Sequence, residues 1–118
     1  MKRIVLALLL AVLLAGSAFG LSDKDYNRMR KESKVFREAD RKLTSVWNRI
    51  SDEITSPARS VFEVLKANQR EWIKSERDKV AKKYMKEGLD DYNAYAIATY
   101  ERIGYLEGWE AVIFNDED

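Results

Sequence analysis

The sequence predicts an all-α domain, and three observations carry that expectation. Apolar side chains recur at helical spacing over three long stretches. The 118 residues include only five Gly and one Pro, too few turn-formers for a strand-and-turn architecture. Apolar residues make up 46% and charged residues 35%, the balance of a folded helical chain rather than a disordered one. The finer expectation is a long antiparallel helical hairpin closed by a shorter third helix.

The first element lies outside that domain. Lys2 and Arg3 precede an unbroken apolar run from Ile4 to Ala15, and small residues follow at Gly16, Ser17, Ala18 and Gly20. A spanning helix needs about 20 apolar residues, so residues 1–20 read as a secretory signal. Cleavage is expected after Gly20 or Ala18, leaving residues 21–118 as a single domain. With no Cys to acylate, a lipoprotein is not expected, and the exported domain must hold together by packing alone. The expected location is the periplasm or the medium, with no stable membrane insertion once the signal is removed.

The first domain helix starts at Ser22, a residue suited to capping, with Asp25 at the third helical position and Leu21 and Tyr26 spaced as a hydrophobic staple. Met29, Phe36, Ala39, Leu43, Val46, Trp47, Ile50 and Ile54 form its apolar seam. The sevenfold spacing of Phe36, Leu43 and Ile50 suits lengthwise packing on another helix. Ser56 and Pro57 suit the N-cap and first position of a second helix. That helix runs towards Glu87, with Gly88 as a left-handed cap and Leu89 folding back on Tyr84. Its stripe is Val61, Phe62, Leu65, Trp72, Ile73 and Val80, and Gln69 and Glu76 fall within it. Asp90 or Asp91 caps a third helix carrying Tyr92, Tyr95, Ala96, Ile97, Tyr100, Ile103 and Leu106. Gly104 and Gly108 weaken its end.

Composition narrows the chemistry. The chain has no His and no Cys. Thiol nucleophiles, disulfides, imidazole acid–base work and nearly all zinc or copper sites are thereby removed. Paired acids such as Asp90 and Asp91 point about 100° apart on a helix and do not make a glycosidase pair. No enzymatic activity, cofactor or metal is expected. Charge is uneven: residues 21–86 carry 18 basic and 11 acidic side chains, residues 87–118 one basic and nine acidic. The two parts are expected to fold against each other and largely cancel. Lys66, Arg70, Lys74 and Arg77 make a basic row, read as a solvated flank. No aromatics interleave with it, so nucleic acid is not an expected partner.

Leu65–Lys66–Ala67–Asn68–Gln69–Arg70–Glu71–Trp72 resembles the "L-x-x-A-Q-x-x-W" core of the lysozyme inhibitor LprI family of small exported bacterial proteins. Asp40, Leu43, Thr44 and Trp47 are similar to its "D-x-x-L-N-x-x-Y" segment, with Thr and Trp replacing Asn and Tyr. Ser56–Pro57–Ala58–Arg59 resembles its inter-helix turn, and Thr99, Arg102 and Leu106 its closing "T-x-x-R-x-x-x-L" pattern. The family commonly carries Cys pairs, which this chain lacks. It also places Arg–Asp four and five residues after the Trp. Those positions are Glu76 and Arg77 here, with Arg77–Asp78 displaced by one, so either the helical register differs or the buried charge has changed sign.

The resemblance implies an exported protein that binds a protein partner, a lysozyme or muramidase, and occludes it without catalysis. The alternative is a structural or adaptor domain of the cell envelope. Trp72 is expected as a core anchor. Gln69 and Glu76 are expected in an interior polar network, with Arg102 or a basic residue beside the first-helix seam as the partner of Glu76. Common animal lysozyme is strongly basic, so the acidic end offers candidate contacts: Asp90, Asp91, Glu107 and Glu110, with Trp109 and Phe114 as anchors.

Overall fold

A computed structural model describes residues 21–53 and 59–114. Among these every regular element is helical: α1 (Asp23–Glu32), α2 (Lys34–Glu53), α3 (Arg59–Glu71), a π-helical turn (Trp72–Glu76), α4 (Arg77–Lys86) and α5 (Asp91–Phe114). The signal reading, the Ser56–Pro57 turn, Ile54 and the terminal acids Asp116, Glu117 and Asp118 lie outside the described residues. No described helix is long and apolar enough to cross a membrane.

The ends follow the sequence. Ser22 Oγ accepts the Asp25 N–H at 3.1 Å, and Leu21 and Tyr26 are both buried. Asp90, rather than Asp91, caps α5 by accepting the Asn93 N–H at 2.8 Å. At the end of α4, Gly88 takes φ +108°. Its N–H donates to the Met85 carbonyl at 3.1 Å, and Leu89 N–H reaches back to the Tyr84 carbonyl at 3.2 Å. That crossed pair satisfies carbonyls a helix end leaves unpaired.

The body of the fold departs from the expected pattern in three places. The first long helix is broken at Ser33, whose backbone is extended (φ −114°, ψ 112°). Ser33 N–H closes α1 on the Met29 carbonyl at 2.9 Å, while its Oγ caps α2 by accepting the Phe36 N–H at 3.1 Å. Arg37 Nη1 donates to the Arg30 and Lys31 carbonyls at 2.8 and 3.2 Å, covering the open end of α1. The second helix is interrupted by the π-helical turn. The third is not short: α5 has 24 residues.

Helix α5 makes extensive contacts with both α2 and α4. It is a packing partner shared by α2 and α4, not merely a cap across their end. Ala94, Ala98 and Leu106 are essentially sealed from solvent; the two alanines allow close approach, and Leu106 fills the space beyond them. The core joins Phe36, Leu43, Val46, Trp47 and Ile50 from α2 to Phe62, Leu65, Trp72 and Ile73 from the second helical stretch. Trp47 and Phe62 bring their ring centroids to 5.6 Å. Tyr26 meets Phe36 edge to face at 5.9 Å. Val61 and Tyr100, expected on apolar faces, are exposed, and Val80 is only partly buried.

Candidate functional site

Of the polar residues singled out in sequence, Gln69 and Arg102 share a layer with Trp72. In the π-helical turn, the Arg77 N–H bonds to the Trp72 carbonyl, five residues back instead of four. One extra residue is thus absorbed, and everything after it is turned by about 100° relative to a regular helix. Arg77 consequently leaves the flank where an unbroken helix would place it and enters the interior, with 4% of its surface exposed. Glu76 swings out to solvent and pairs with Lys79 at 3.6 Å. The expected network through Glu76 is therefore corrected: the buried charge in this layer is Arg77. The basic row loses Arg77 for the same reason.

Two guanidinium groups flank the Trp72 indole. Arg77 lies 5.5 Å and Arg102 5.6 Å from the ring centroid, distances at which a cation is drawn to the electron-rich face. Arg102 is directional. Its Nε donates to Gln69 Oε1 at 2.7 Å and its Nη2 to Asn68 Oδ1 at 2.6 Å, and its plane sits 4.5 Å from the Tyr105 centroid. Burial lowers its pKa to about 10, which leaves it charged at neutral pH. The Gln69–Arg102 link expected from sequence is present. Gln69 Nε2 is buried without a hydrogen-bond partner.

Arg77 is held differently. Its Nε and Nη2 are buried and have no hydrogen-bond partner. Its charge is met by ring faces, Trp72 on one side and Tyr26 at 5.9 Å on another. Burial pulls its pKa down, opposed by the nearby Tyr26, Asp40, Tyr95 and Asp78. Around it the acids are tethered. The Tyr26 hydroxyl lies 2.8 and 2.7 Å from the two Asp40 carboxylate oxygens, and Arg30 pairs with the same carboxylate at 3.3 Å. Tyr95 donates to Asp78, which also pairs with Lys82 at 3.0 Å. Burial raises the Asp40 pKa, and burial followed by the carboxylate raises that of Tyr26.

The motif residues thus occupy one interior. Leu43, Trp47, Leu65, Gln69, Trp72 and Arg102 are buried, and the Asp40 side chain is 13% exposed. They hold the fold together, and none presents a free reactive group. Tyr26, Asn68 and Arg77 were missed as members of this layer. The one available signal was the one-residue displacement of Arg77–Asp78 from the spacing of the resembled family.

The proposed contact residues are more engaged than an open acidic end would be. Asp90 caps α5, and Asp91 pairs with Arg28 at 3.3 Å. Glu110 is gripped by Arg49 through two nitrogens, one of them at 2.8 Å. That bond lowers the Glu110 pKa. Trp109 and Phe114 are partly buried against the core, and Trp109 meets Tyr105 at 6.5 Å. Glu107 is exposed. A groove of about 620 Å³ runs along the polar side of α2 and is lined by Arg37, Asp40, Arg41, Ser45 and Asn48 among others. Its mixed charges select no single ligand class. The chain matches no family model, no curated protein and no solved structure.

Proposed function

We propose that this protein is an exported, non-catalytic binding domain that occludes a lysozyme or related muramidase, with residues 1–20 serving as its signal and the periplasm or medium as its destination. In this reading α2 and the continuous α3–α4 stretch are the two arms of a helical hairpin, with α5 seated against them.

The observation that carries the proposal is the restored register after Trp72. In sequence the Arg77–Asp78 pair stands one residue beyond the spacing of the LprI-like proteins. The π-helical turn absorbs that residue, so Arg77 occupies the interior position that a regular helix would give the fourth residue after Trp72. Gln69, Trp72 and Arg102 support the same reading by sharing that layer. An interior held by packing without Cys suits a protein whose surface does the work.

The test is a cell-wall lysis assay against a panel of animal-type and bacterial muramidases, with the full chain expressed from its own signal. The expected result is a saturable loss of lysis with at least one enzyme. Undiminished lysis across the panel would refute inhibition and favour the second reading, an envelope adaptor. Val35, Val61 and Val64, exposed on the long helices by 43%, 38% and 61%, lend that alternative a specific basis.

A further inference from the structure

The outward face of α5 has no explanation within the monomer. Apolar side chains are spread around this helix rather than gathered on one face. Yet α2 and α4 cover only part of it. At 100° per residue, Tyr100, Gly104, Gly108, Glu101, Tyr105 and Glu107 share an exposed arc of about 160°. Gly104 and Gly108 lie towards its middle, and the two tyrosines stand on either side. The result is a shallow trough with a backbone floor and aromatic rims.

The glycines are not demanded by the chain's own packing. A Cβ built on either residue meets nothing within 4 Å. Neither has positive φ. Both weaken the helix, since Gly is a poor helix former. Tyr105, by contrast, is held in place by Arg102 at 4.5 Å and Trp109 at 6.5 Å. A pre-ordered, half-exposed tyrosine is a typical anchor for protein binding.

Charge identifies the occupant. The charged groups on this arc are Glu101 and Glu107, and the single basic residue of α5, Arg102, is turned inward to Gln69 and Asn68. Glu101 accepts the Tyr84 hydroxyl. A second copy docked on the same face would oppose like charges, which disfavours it. The geometry points to the trough between Tyr100 and Tyr105 as the docking surface for a cationic protein that lays a narrow basic ridge or helix over Gly104 and Gly108. This rests on the muramidase reading and names the surface that carries it.

The test compares the full chain with Gly104→Leu, Gly108→Leu and Glu107→Lys, using purified animal-type lysozyme and a basic bacterial muramidase as probes. Binding is read by surface plasmon resonance at two salt concentrations, folding by circular dichroism, and oligomeric state by sedimentation. Because a Cβ at either glycine meets nothing within 4 Å, both leucine variants are expected to fold, and each to weaken binding by at least about tenfold. Glu107→Lys slows association and reduces its salt dependence. Binding by the wild type that both leucine variants match would overturn the trough alone. Absence of wild-type binding to either probe would overturn this occupant and count against the muramidase reading. A wild-type dimer that Gly108→Leu dissociates would assign the trough to a second copy and overturn the cationic partner.

Discussion

Deleting Ser75 tests whether the π-helical turn is an absorbed insertion. A one-residue deletion inside a long helix normally turns every later side chain by about 100°. Here it removes the surplus. Arg77 N–H already bonds to the Trp72 carbonyl across five residues, and the deletion turns that contact into an ordinary four-residue bond. Gln69 and Trp72 before the turn, and Arg77 and Ala81 after it, keep their faces. The local loss is the Ser75 hydroxyl bond to Glu71 at 2.8 Å, exposed at the surface. A net change within about 1 kcal/mol is expected, roughly 4–8 °C in Tm for a domain of this size. Deleting Ala67 is the contrasting case. Even if the helix relaxes the π turn in response, Gln69, Trp72 and Ile73 are rotated out of the interior between the two points. Loss of buried Trp72 alone is worth about 3–5 kcal/mol, a large part of a small domain's stability. Urea titrations followed by circular dichroism distinguish the two. Loss of more than about 3 kcal/mol on deleting Ser75, or equal damage from both deletions, would refute the reasoning.

Four further outcomes follow from named contacts. Arg77→Met should be neutral or stabilising in urea unfolding, because the buried guanidinium gives up ring contacts but no ion-pair hydrogen bond, whereas Arg77→Ala should lose about 3 kcal/mol through the space it leaves. Gly88→Ala should cost about 1–2 kcal/mol, since a side chain is strained at φ +108°; an unchanged Tm would count against that cap. Gly104→Ala and Gly108→Ala should each stabilise the helix by up to about 1 kcal/mol, read as raised urea midpoints. Asp40 gives a signed pH effect. Its pKa is raised by burial in the folded state, so its contribution to stability is complete below the ordinary carboxyl range and is lost as pH rises through the folded value. Asp40→Asn should therefore gain relative to wild type between about pH 4 and pH 7, and a difference constant over that interval would exclude the effect.

The helix ends were legible because each is written in a few adjacent residues: Ser22 with Asp25, Gly88 with Leu89, and Asp90. The break at Ser33 was hidden by phase. Met29, Phe36, Leu43 and Ile50 keep a seven-residue spacing straight through it, so periodicity alone describes one continuous helix. The capping role of Ser33 lies in backbone geometry that this spacing does not register. Arg77 was misplaced for a related reason. Angular counting assumes a constant turn per residue, and the π-helical segment violates that over Trp72–Glu76. Glu76 and Arg77 exchange faces as a result. The contact candidates at the acidic end were named from charge, but Arg49 and Arg28 come from distant parts of the chain to claim Glu110 and Asp91. Pairings over such separations are set by the tertiary fold.

Two opposite tendencies meet in the interior. Trp72, Leu65 and Leu106 supply non-directional burial, which favours compaction without fixing a register. Arg102, Gln69 and Asn68 supply direction, since a planar guanidinium matches its acceptors in few orientations. The layer therefore holds α5 in place along α3. That alignment in turn sets where Tyr100, Gly104 and Tyr105 stand on the surface.

The most direct test of the central claim is a calorimetric titration of the purified chain into a lysozyme that it fails to leave active in the lysis assay, alongside one it does not affect. Occlusion by specific binding gives saturable one-to-one binding to the first, weakened by salt, and no binding heat with the second. Loss of lysis without binding heat, or equal heats with both enzymes, would contradict occlusion by specific binding.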